Sequence, residues 1–468
     1  MVNQRSEIAL KITNQYAKYH INQITTNRFT HTSFINALAP FKNNSKLTIS
    51  TIGYSQEGRL IKSISFGKGK TNVLLWSQMH GNESTATRAI LDLLQFLTSN
   101  DEFNSFRAEL AKKLTLQFIP MLNPDGTERF QRRTATEIDM NRDAVQLQTP
   151  EGRLLMDVVD KFKPDIAFNL HDQRRFYNVK NTGVPSSISF LAPAYNQARE
   201  VNATRKRAMQ LIAGMNQTLQ NYIPDGVGLY DDAYSYRSFG DAIQAKGVST
   251  VLVESGWLPQ DMEKEGVRKL NFTALLAAFD MISTNGFKDY SVKEYEAIPA
   301  IDDKLFDILI KNVCVNASSK SSVDIGVSRT EHLIGHPNYY SAGQINDLGD
   351  LASFYGFETI DAQKLTVVEG KAKAIQNLQN ISTVSVKRLL KQGILFLITE
   401  NIPLEKHVPF PINIVHPRKL VQAREIRFEE KANFLLIDKH KTIKYIILNG
   451  FVMKPNEINT SVNGLVLV

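Results

Sequence analysis

The chain of 468 residues contains very little cysteine or tryptophan, with Cys314 as its one cysteine and two tryptophans in all. A single cysteine excludes an intrachain disulfide and a metal site built from several cysteines. No apolar run reaches the ~18 residues that a membrane helix needs, and the polar opening stretch lacks the apolar core of a signal peptide. We therefore expect a cytoplasmic protein with no membrane partner.

Apolar residues, by contrast, make up 43 % of the chain, and charged residues make up 22 %. These proportions are typical of a globular protein, and the length allows two or three domains. The formal net charge of +8 is concentrated between Lys371 and Lys444, where 14 basic residues stand against 6 acidic ones. Such a stretch is usually a solvated surface, and without interleaved aromatic residues it does not favour a nucleic-acid partner.

Strands and helices alternate between about residue 45 and residue 285. A polar turn at 55–59 separates two alternating runs, which indicates a hairpin. The following apolar runs are typical of strands buried on both faces, and the segments between them have helical spacing. Strands are predicted at 72–77, 114–119, 166–170 and 248–253, and helices at 86–97, 152–161, 201–219 and 268–283. This pattern predicts an α/β domain, 46–290, with a mixed, mainly parallel sheet sandwiched by helices.

Two further regions flank this domain. Residues 1–45 are predicted to form an N-terminal helical segment that ends in a polar linker. After a polar stretch at 285–299 the pattern changes to short β-type runs with a few helices, one of them expected at 372–379. We expect a smaller C-terminal α+β domain with a β-rich end at 300–468, for which the sequence indicates no role.

Polar residues follow the four predicted buried strands. His80 and Glu83 come after the first strand, the sequence Asn-Pro-Asp-Gly at 123–126 after the second, His171 after the third and Glu254 after the fourth. In open α/β sheets, ligands bind outside the carboxyl ends of the strands. Two imidazoles and one carboxylate are a donor set typical of a hydrolytic zinc site with one open position. A metal centre is therefore predicted at this edge of the sheet.

A second histidine pair, His332 and His336, could bind a metal if its segment were helical. The glycine between these histidines weakens a helix by about 1 kcal/mol relative to alanine. No third ligand is evident nearby, so a second metal site is not favoured.

Six ordered motifs resemble those of the zinc metallocarboxypeptidases, the carboxypeptidase A-like peptidases. They are Gly-Tyr-Ser-Gln-Glu-Gly-Arg at 53–59, His-Gly-Asn-Glu at 80–83, Asn-Pro-Asp-Gly at 123–126, Asp-Met-Asn-Arg at 139–142, His171 after its strand, and Glu254 in Val-Leu-Val-Glu-Ser-Gly. The motifs span residues 47–280 and leave the two ends of the chain uncovered. The resemblance implies the fold of that family and one Zn²⁺ per chain, with His80, Glu83 and His171 as ligands.

The resemblance also implies roles for residues around the metal. Glu254 is expected to be the general base that takes a proton from water and passes it to the leaving amine. Asn141 and Arg142 are expected to bind the terminal carboxylate of a peptide, a task for which the planar fork of arginine is suited. Asp139 is expected to accept a hydrogen bond from His80 and so fix its ring.

Two further positions are expected from the family but are less sharply defined by this sequence. An arginine near the scissile carbonyl would stabilise the oxyanion, and we favour Arg132 over its neighbour Arg133. A tyrosine about twenty residues before Glu254 would contact the substrate. Here we favour Tyr234, with Tyr230 and Tyr236 as alternatives.

The expected function is that of a zinc-dependent hydrolase that removes a C-terminal residue from peptides. One alternative is an amide hydrolase of the same fold that acts on an N-acyl amino acid or a cell-wall peptide. Another is a binding protein that has lost catalysis, although the intact ligands and Glu254 favour an enzyme. No acidic pocket residue is evident, so a preference for basic C-terminal residues is not indicated, and the sequence does not indicate an oligomeric state.

Overall fold

The computed structural model describes residues 7–316, 321–378, 381–419 and 426–467. The chain divides into two compact units, Met1–Asp303 and Lys304–Val468, referred to below as unit 1 and unit 2. The boundary lies shortly after the polar stretch at 285–299. None of the helices within the described ranges is long and apolar enough to cross a membrane.

Unit 1 is built on an eight-stranded sheet whose centre is parallel. The strand order is β1-β2-β4-β3-β5-β9-β7-β8. The central pairs β4–β3, β3–β5 and β5–β9 are parallel, whereas β1–β2, β2–β4 and β7–β9 are antiparallel. The strands are β1 (Leu47–Tyr54), β2 (Leu60–Phe66), β3 (Thr71–Ser77), β4 (Leu114–Ile119), β5 (Ile166–Asp172), β7 (Ile188–Leu191), β8 (Val227–Leu229) and β9 (Ser249–Ser255), with a separate small pair, β6 (Tyr177–Val179) and β10 (Ile301–Asp303).

Helices cover both faces of this sheet. They are α1 (Glu7–Thr13), α2 (His31–Leu38), α3 (Thr85–Thr98), α4 (Asn104–Lys113), α5 (Pro124–Glu128), α6 (Pro150–Phe162), α7 (Ala203–Leu219), α8 (Phe239–Ala245), α9 (Glu265–Thr284) and α10 (Val292–Glu296). Alternate residues of β3 show the two layers, because Val73 and Leu75 join one apolar cluster and Leu74 and Trp76 join another. The predicted α/β class with a mixed, mainly parallel sheet is confirmed.

The N-terminal segment differs from the expected polar linker. A second helix, α2, begins after Thr30, whose side-chain oxygen accepts a hydrogen bond from the backbone of Ser33. Phe34 and Phe41 are buried in the same apolar cluster as helices α3 and α9. The linker prediction was wrong because these few apolar residues, scattered in a polar sequence, are enough to bury one face of a short helix.

Unit 2 is made mostly of strands. One sheet has the order β13-β12-β11-β15-β20-β21-β22, with β14 also paired to β11, and a second has the order β16-β17-β19-β23-β18. Its elements are β11 (Leu305–Asn316), β12 (Ser321–Gly335), β13 (Asn338–Gly349), β14 (Tyr355–Asp361), β15 (Thr366–Glu369), β16 (Lys371–Ala374), α11 (Thr383–Lys391), β17 (Ile394–Ile398), β18 (His407–Val408), β19 (Asn413–Val415), β20 (Phe434–Ile437), β21 (Ile443–Leu448), β22 (Phe451–Met453) and β23 (Gly464–Leu467).

The helix expected at 372–379 is absent from the described part of that segment, and residue 379 lies outside the described residues. Residues 371–374 instead form β16, which pairs in parallel with β17. The helix of this region is α11, which begins at a capping box formed by Ser382 and Ser385. Pairing with a neighbouring strand outweighs the helix propensity of the Lys-Ala repeat, because propensity is a weak preference.

The histidine pair of unit 2 does not lie on a helix. His332 is in strand β12, and its ring stacks on Tyr340 of β13 with the ring centroids 4.9 Å apart. The helical spacing that would bring His332 and His336 to one face therefore does not occur.

Candidate metal centre

The predicted site residues meet at the carboxyl edge of the parallel strands. His171 is the penultimate residue of β5 and lies directly opposite Glu254 of β9 in the strand register. His80 and Glu83 lie in the turn that connects β3 to α3. The sheet topology therefore brings together side chains that are up to 174 positions apart in the sequence (80 to 254).

The turn after β3 needs an unusual backbone. Gln78 has a positive φ of 48°, and its side-chain amide donates hydrogen bonds to the carbonyl of Gly81 and the hydroxyl of Thr127. A Cβ atom at Gly81 would lie 2.0 Å from the carbonyl carbon of Gly126. The glycine of the His-Gly-Asn-Glu motif is therefore needed because α5 approaches this turn closely.

Three donor groups form a compact buried cluster. The Nδ1 atoms of His80 and His171 are 3.2 Å apart, and each lies 2.8 Å or 2.7 Å from an oxygen of Glu83. Adjacent ligands of a tetrahedral zinc ion are separated by about 3.3 Å, given bonds of about 2.0–2.1 Å. The spacing of the two imidazole nitrogens is close to this value, and the carboxylate oxygens lie somewhat nearer. All three side chains can therefore reach one ion, and the donor set His80, Glu83 and His171 fits zinc.

The ring of His80 is held from behind by Asp139. The Nε2 atom of His80 lies 3.1 Å from a carboxylate oxygen of Asp139, so that Nδ1 points into the cluster. Asp139 also accepts a hydrogen bond from the backbone of Asn141. A carboxylate in this position fixes the ring and makes the imidazole a stronger donor.

Burial and charge set the protonation of the cluster. Burial opposes ionisation of Glu83, but the two neighbouring imidazoles hold its pKa well below the usual value. Burial likewise disfavours charge on His171 and lowers its pKa, whereas Glu83 and Asp139 together raise the pKa of His80 despite its burial. The cluster therefore holds a carboxylate ready to accept a cation.

Glu254 lies beside this cluster without belonging to the donor set. Burial raises its pKa well above the usual value, and the negative charges of Glu83 and Asp172 raise it further. Arg132 and Lys264 lie close enough to oppose that shift. A carboxyl group beside the metal donors whose pKa is raised in this way is placed to accept a proton.

The structure distinguishes the two candidate arginines. Nη1 of Arg132 lies 3.0 Å from Nδ1 of His80 and 3.2 Å from Glu83, and its other nitrogens contact Asp139. Arg133 is exposed and donates to the carbonyl of Glu137. Arg132 is therefore the arginine at the cluster, as the spacing favoured.

Asn141 and Arg142 lie on the turn that follows Asp139. The side-chain oxygen of Asn141 accepts a hydrogen bond from the backbone of Phe239. Its amide NH₂ group has no hydrogen-bond acceptor among the described residues and can donate to a ligand. Nη1 of Arg142 donates to the carbonyl of Asn141 and the hydroxyl of Ser238. The Nε and Nη2 groups of Arg142 make no hydrogen bond to any described residue, so this exposed guanidinium can receive a carboxylate.

Of the three candidate tyrosines, Tyr230 lies close enough to Glu254 for its hydroxyl to be affected by the charge of that carboxylate. Burial raises its pKa, as do a hydrogen bond with Tyr177, at 3.4 Å between the hydroxyl oxygens, and the charge of Glu254. Tyr234, which the sequence favoured, is partly buried, and Tyr236 is exposed. The structure thus brings an alternative tyrosine, rather than the favoured one, into the field of Glu254.

Two charged residues near the cluster, Asp172 and Lys264, were not predicted from the sequence. Nζ of Lys264 lies 3.1 Å from Asp172, and the two side chains are 11 % and 8 % exposed. Asp172 directly follows His171 at the end of β5. This position next to a predicted ligand is the one feature of the sequence that could have indicated that Asp172 lies near the cluster. Lys264 lies in the loop between β9 and α9, and the sequence does not indicate in which direction its side chain points.

Two of the remaining motifs support the site from one side. Asp125 accepts hydrogen bonds from the hydroxyl of Ser55, the backbone of Glu57 and the guanidinium of Arg59. The turn at 55–59 is thereby fastened to the start of α5. Asn123 caps the same helix and donates to the carbonyl of Met79, one residue before His80.

The fold and the cluster define a class of protein: an α/β protein with a His₂Glu centre at the carboxyl edge of its sheet, the donor set of hydrolytic zinc sites. Residues 32–148 match the family model described as zinc carboxypeptidase. This match confirms, for that part of unit 1, the resemblance to the zinc carboxypeptidases found in the motifs.

Relatives with curated names share part of the chain. The protein named "Probable carboxypeptidase 2" of Arthroderma benhamiae is 33 % identical over 134 residues, 28 % of this chain and 24 % of its own. "Carboxypeptidase 2" of Trichophyton equinum is 29 % identical over 173 residues, 34 % of this chain and 31 % of its own. The chain thus spans less than a third of the length of either relative.

Among solved structures, a metallo-carboxypeptidase from Burkholderia cenocepacia is similar with a TM-score of 0.45 and 17 % sequence identity. The similarity covers 55 % of this chain and 70 % of that one.

Proposed function

We propose that this protein is a zinc-dependent hydrolase that removes a C-terminal residue from peptides and binds one zinc ion per chain. The observation that carries the proposal is the buried cluster of His80, Glu83 and His171, with Glu254 beside it and the exposed guanidinium of Arg142 on the turn after Asp139. The match of residues 32–148 to the zinc carboxypeptidase model supports a metallopeptidase and a peptide substrate. The relatives named carboxypeptidase 2 support the same reading.

Each residue has a distinct task in this proposal. A zinc ion bound by His80, Glu83 and His171 would polarise the scissile carbonyl and make water acidic enough to react near neutral pH. Glu254 takes a proton from the attacking water and delivers it to the departing amide nitrogen. Arg132 donates to the oxygen that becomes negative as the carbonyl is attacked.

The C-terminal carboxylate of the substrate is bound by Asn141 and Arg142. The free Nε and Nη2 groups of Arg142 lie side by side on one edge of a planar guanidinium and can make two parallel hydrogen bonds to a carboxylate. The free NH₂ group of Asn141 adds a third donor. This arrangement selects peptides with a free C-terminus over internal amide bonds.

Arg142→Ala tests the exopeptidase reading. We expect KM for peptides with a free C-terminus to rise by at least about tenfold, because a charge-assisted bidentate contact contributes more than ~1.5 kcal/mol. The rates for C-terminally amidated peptides, low from the start, should not change. The measurement is steady-state kinetics on matched free and amidated peptides.

Arg388→Ala is the control for this experiment, since Arg388 is an exposed arginine of α11 in unit 2. If Arg142→Ala keeps the preference of the protein for a free C-terminus, the exopeptidase proposal fails. The broader activity on N-acyl amino acids or cell-wall peptides would then be the better explanation.

Asp139→Asn tests the support of the metal centre. Because the amide cannot hold the His80 ring as strongly as a carboxylate, zinc affinity should fall by roughly 10–100-fold without unfolding. The dissociation constant can be measured by competition with a chelator. Asp157→Asn, which changes an exposed aspartate on α6, should leave the constant unchanged. An unchanged constant for Asp139→Asn would refute the role of Asp139.

A further inference from the structure

A buried lysine links the ends of the two central strands. Nζ of Lys264 donates to a carboxylate oxygen of Asp172 and to the carbonyl of Ser255, both at 3.1 Å. Asp172 follows His171 on β5, and Ser255 follows Glu254 on β9. The same two residues form the last register pair of these strands. Lys264 therefore contacts the immediate neighbours of one metal donor and of the proposed base.

Asp172 extends this connection to the third element of the site. Its carboxylate also accepts a hydrogen bond of 2.5 Å from the hydroxyl of Thr85, two residues after Glu83 at the start of α3. Its backbone N–H donates to Glu83 itself at 3.2 Å. One ion pair thus contacts the segments that carry Glu83, His171 and Glu254.

The two imidazoles of the cluster are supported in different ways. His80 is held at Nε2 by Asp139, whereas Nε2 of His171 is buried and makes no hydrogen bond within the described part of the chain. A ring without a partner at its outer nitrogen is positioned by its contacts at Nδ1 and by its backbone. For His171 that backbone is the end of β5, where Asp172 and Lys264 lie.

Lys264 is itself fixed from several directions. It has a left-handed backbone with φ 53° directly before α9, and the carboxylate of Asp261 caps the first turn of that helix. The preceding residue, Glu263, accepts hydrogen bonds from Arg88 and from the backbone of Asn27. The ammonium group therefore projects from a loop that has little freedom to move.

We propose that the Asp172–Lys264 ion pair is a positioning pair, which holds His171 and Glu254 in the geometry that catalysis needs. The inference rests on the proposed function. Backbone pairing of β5 and β9 itself extends to Asp172 and Ser255, so the ion pair is not the only link between the ends of these strands. A buried ion pair adds little to stability, whereas small displacements at a reaction centre cost up to about 100-fold in rate.

Lys264→Met tests the proposal, since methionine keeps the length of the side chain and removes the charge. We expect kcat to fall by about 10–100-fold, KM to change by less than about threefold, and zinc to remain at one ion per chain. The matched control is Lys246→Met, which breaks an exposed lysine–aspartate pair, Lys246–Asp160 at 2.8 Å. This control should leave kcat unchanged.

A second readout does not depend on activity. With Co²⁺ in place of zinc, the visible absorption reports the arrangement of the donors. Lys264→Met should alter the spectrum of the Co²⁺ protein, and Lys264→Arg, which keeps the charge, should restore part of both the spectrum and kcat. The double variant Asp172→Asn/Lys264→Met leaves no unpaired buried charge, so it should fold while still showing the low kcat.

The outcomes separate this inference from the proposed function. Wild-type kcat and an unaltered Co²⁺ spectrum in Lys264→Met, or in the double variant if the single one does not fold, would overturn the positioning pair alone. A wild-type protein that binds neither Zn²⁺ nor Co²⁺ would refute the proposed function, and the inference with it. A loss of kcat in proportion to lost zinc would also refute the inference, because Lys264 would then act only on metal retention.

Discussion

Glu254→Gln is expected to lower kcat by about 10²–10⁴-fold, the range that general acid–base catalysis typically supplies. Glutamine keeps the size and shape of the side chain but cannot take a proton at neutral pH. Glu254 lies opposite His171 in the strand register and outside the donor set, so the zinc content should stay near one ion per chain. Steady-state kinetics together with elemental analysis of the same preparation would check both expectations.

The control for this variant is Glu109→Gln, which changes an exposed glutamate of α4 that is paired with Lys113. It should alter neither kcat nor zinc content. Near wild-type turnover in Glu254→Gln would show that Glu254 is not the base. Loss of zinc would instead show that Glu254 is a ligand, and both results would contradict the proposed mechanism.

The position of the site could be predicted because it follows from topology. Continuous apolar runs indicated the buried strands, and parallel strands have their carboxyl ends at one edge. The predicted strand at 114–119 is β4, and the strand predicted at 166–170 is β5 extended by two residues, one of them His171. Residues at the carboxyl ends of such strands, such as Glu254, are therefore brought together without any contribution from loop geometry.

Residues whose positions depend on loops could not be predicted in the same way. The choice between Arg132 and Arg133 depends on the direction of each side chain in an irregular segment. Tyr230 lies in the field of Glu254, although Tyr234 was favoured, since spacing within a loop does not determine which ring faces inward. Lys264 reaches Asp172 across 92 positions of sequence through a left-handed residue that no local pattern indicates.

The corrections outside the site have a common physical cause. Residues 371–374 have a composition that suits a helix, yet they pair with β17, because a strand partner supplies hydrogen bonds that local propensity does not outweigh. Phe34 and Phe41 lie in a polar stretch that reads as a linker, yet both join the core of unit 1. In each case contacts with residues distant in sequence determine the local structure, and a single sequence does not display those contacts.

His171→Ala is expected to have the other large effect, the loss of both zinc and activity. Two donors would remain, and removal of a direct ligand should weaken binding by more than the roughly 10–100-fold that loss of a supporting partner costs. At micromolar protein the zinc content should fall well below one ion per chain, and hydrolysis should fall with it. Dialysis against a weak chelator followed by elemental analysis measures the metal, and thermal unfolding checks that β5 remains folded.

The matched control for His171→Ala is His440→Ala, which removes an exposed imidazole in unit 2. This variant should keep its zinc, because His440 does not belong to the donor cluster. The comparison distinguishes a specific ligand from general binding of zinc by surface histidines. If zinc were bound only by surface histidines, the two variants would lose equal amounts of zinc. Stoichiometric zinc in folded His171→Ala would remove His171 from the donor set. The metal would then have to be bound by residues outside β5. The role assigned to Glu254 would also lose its basis, because it depends on the strand register that places Glu254 opposite His171.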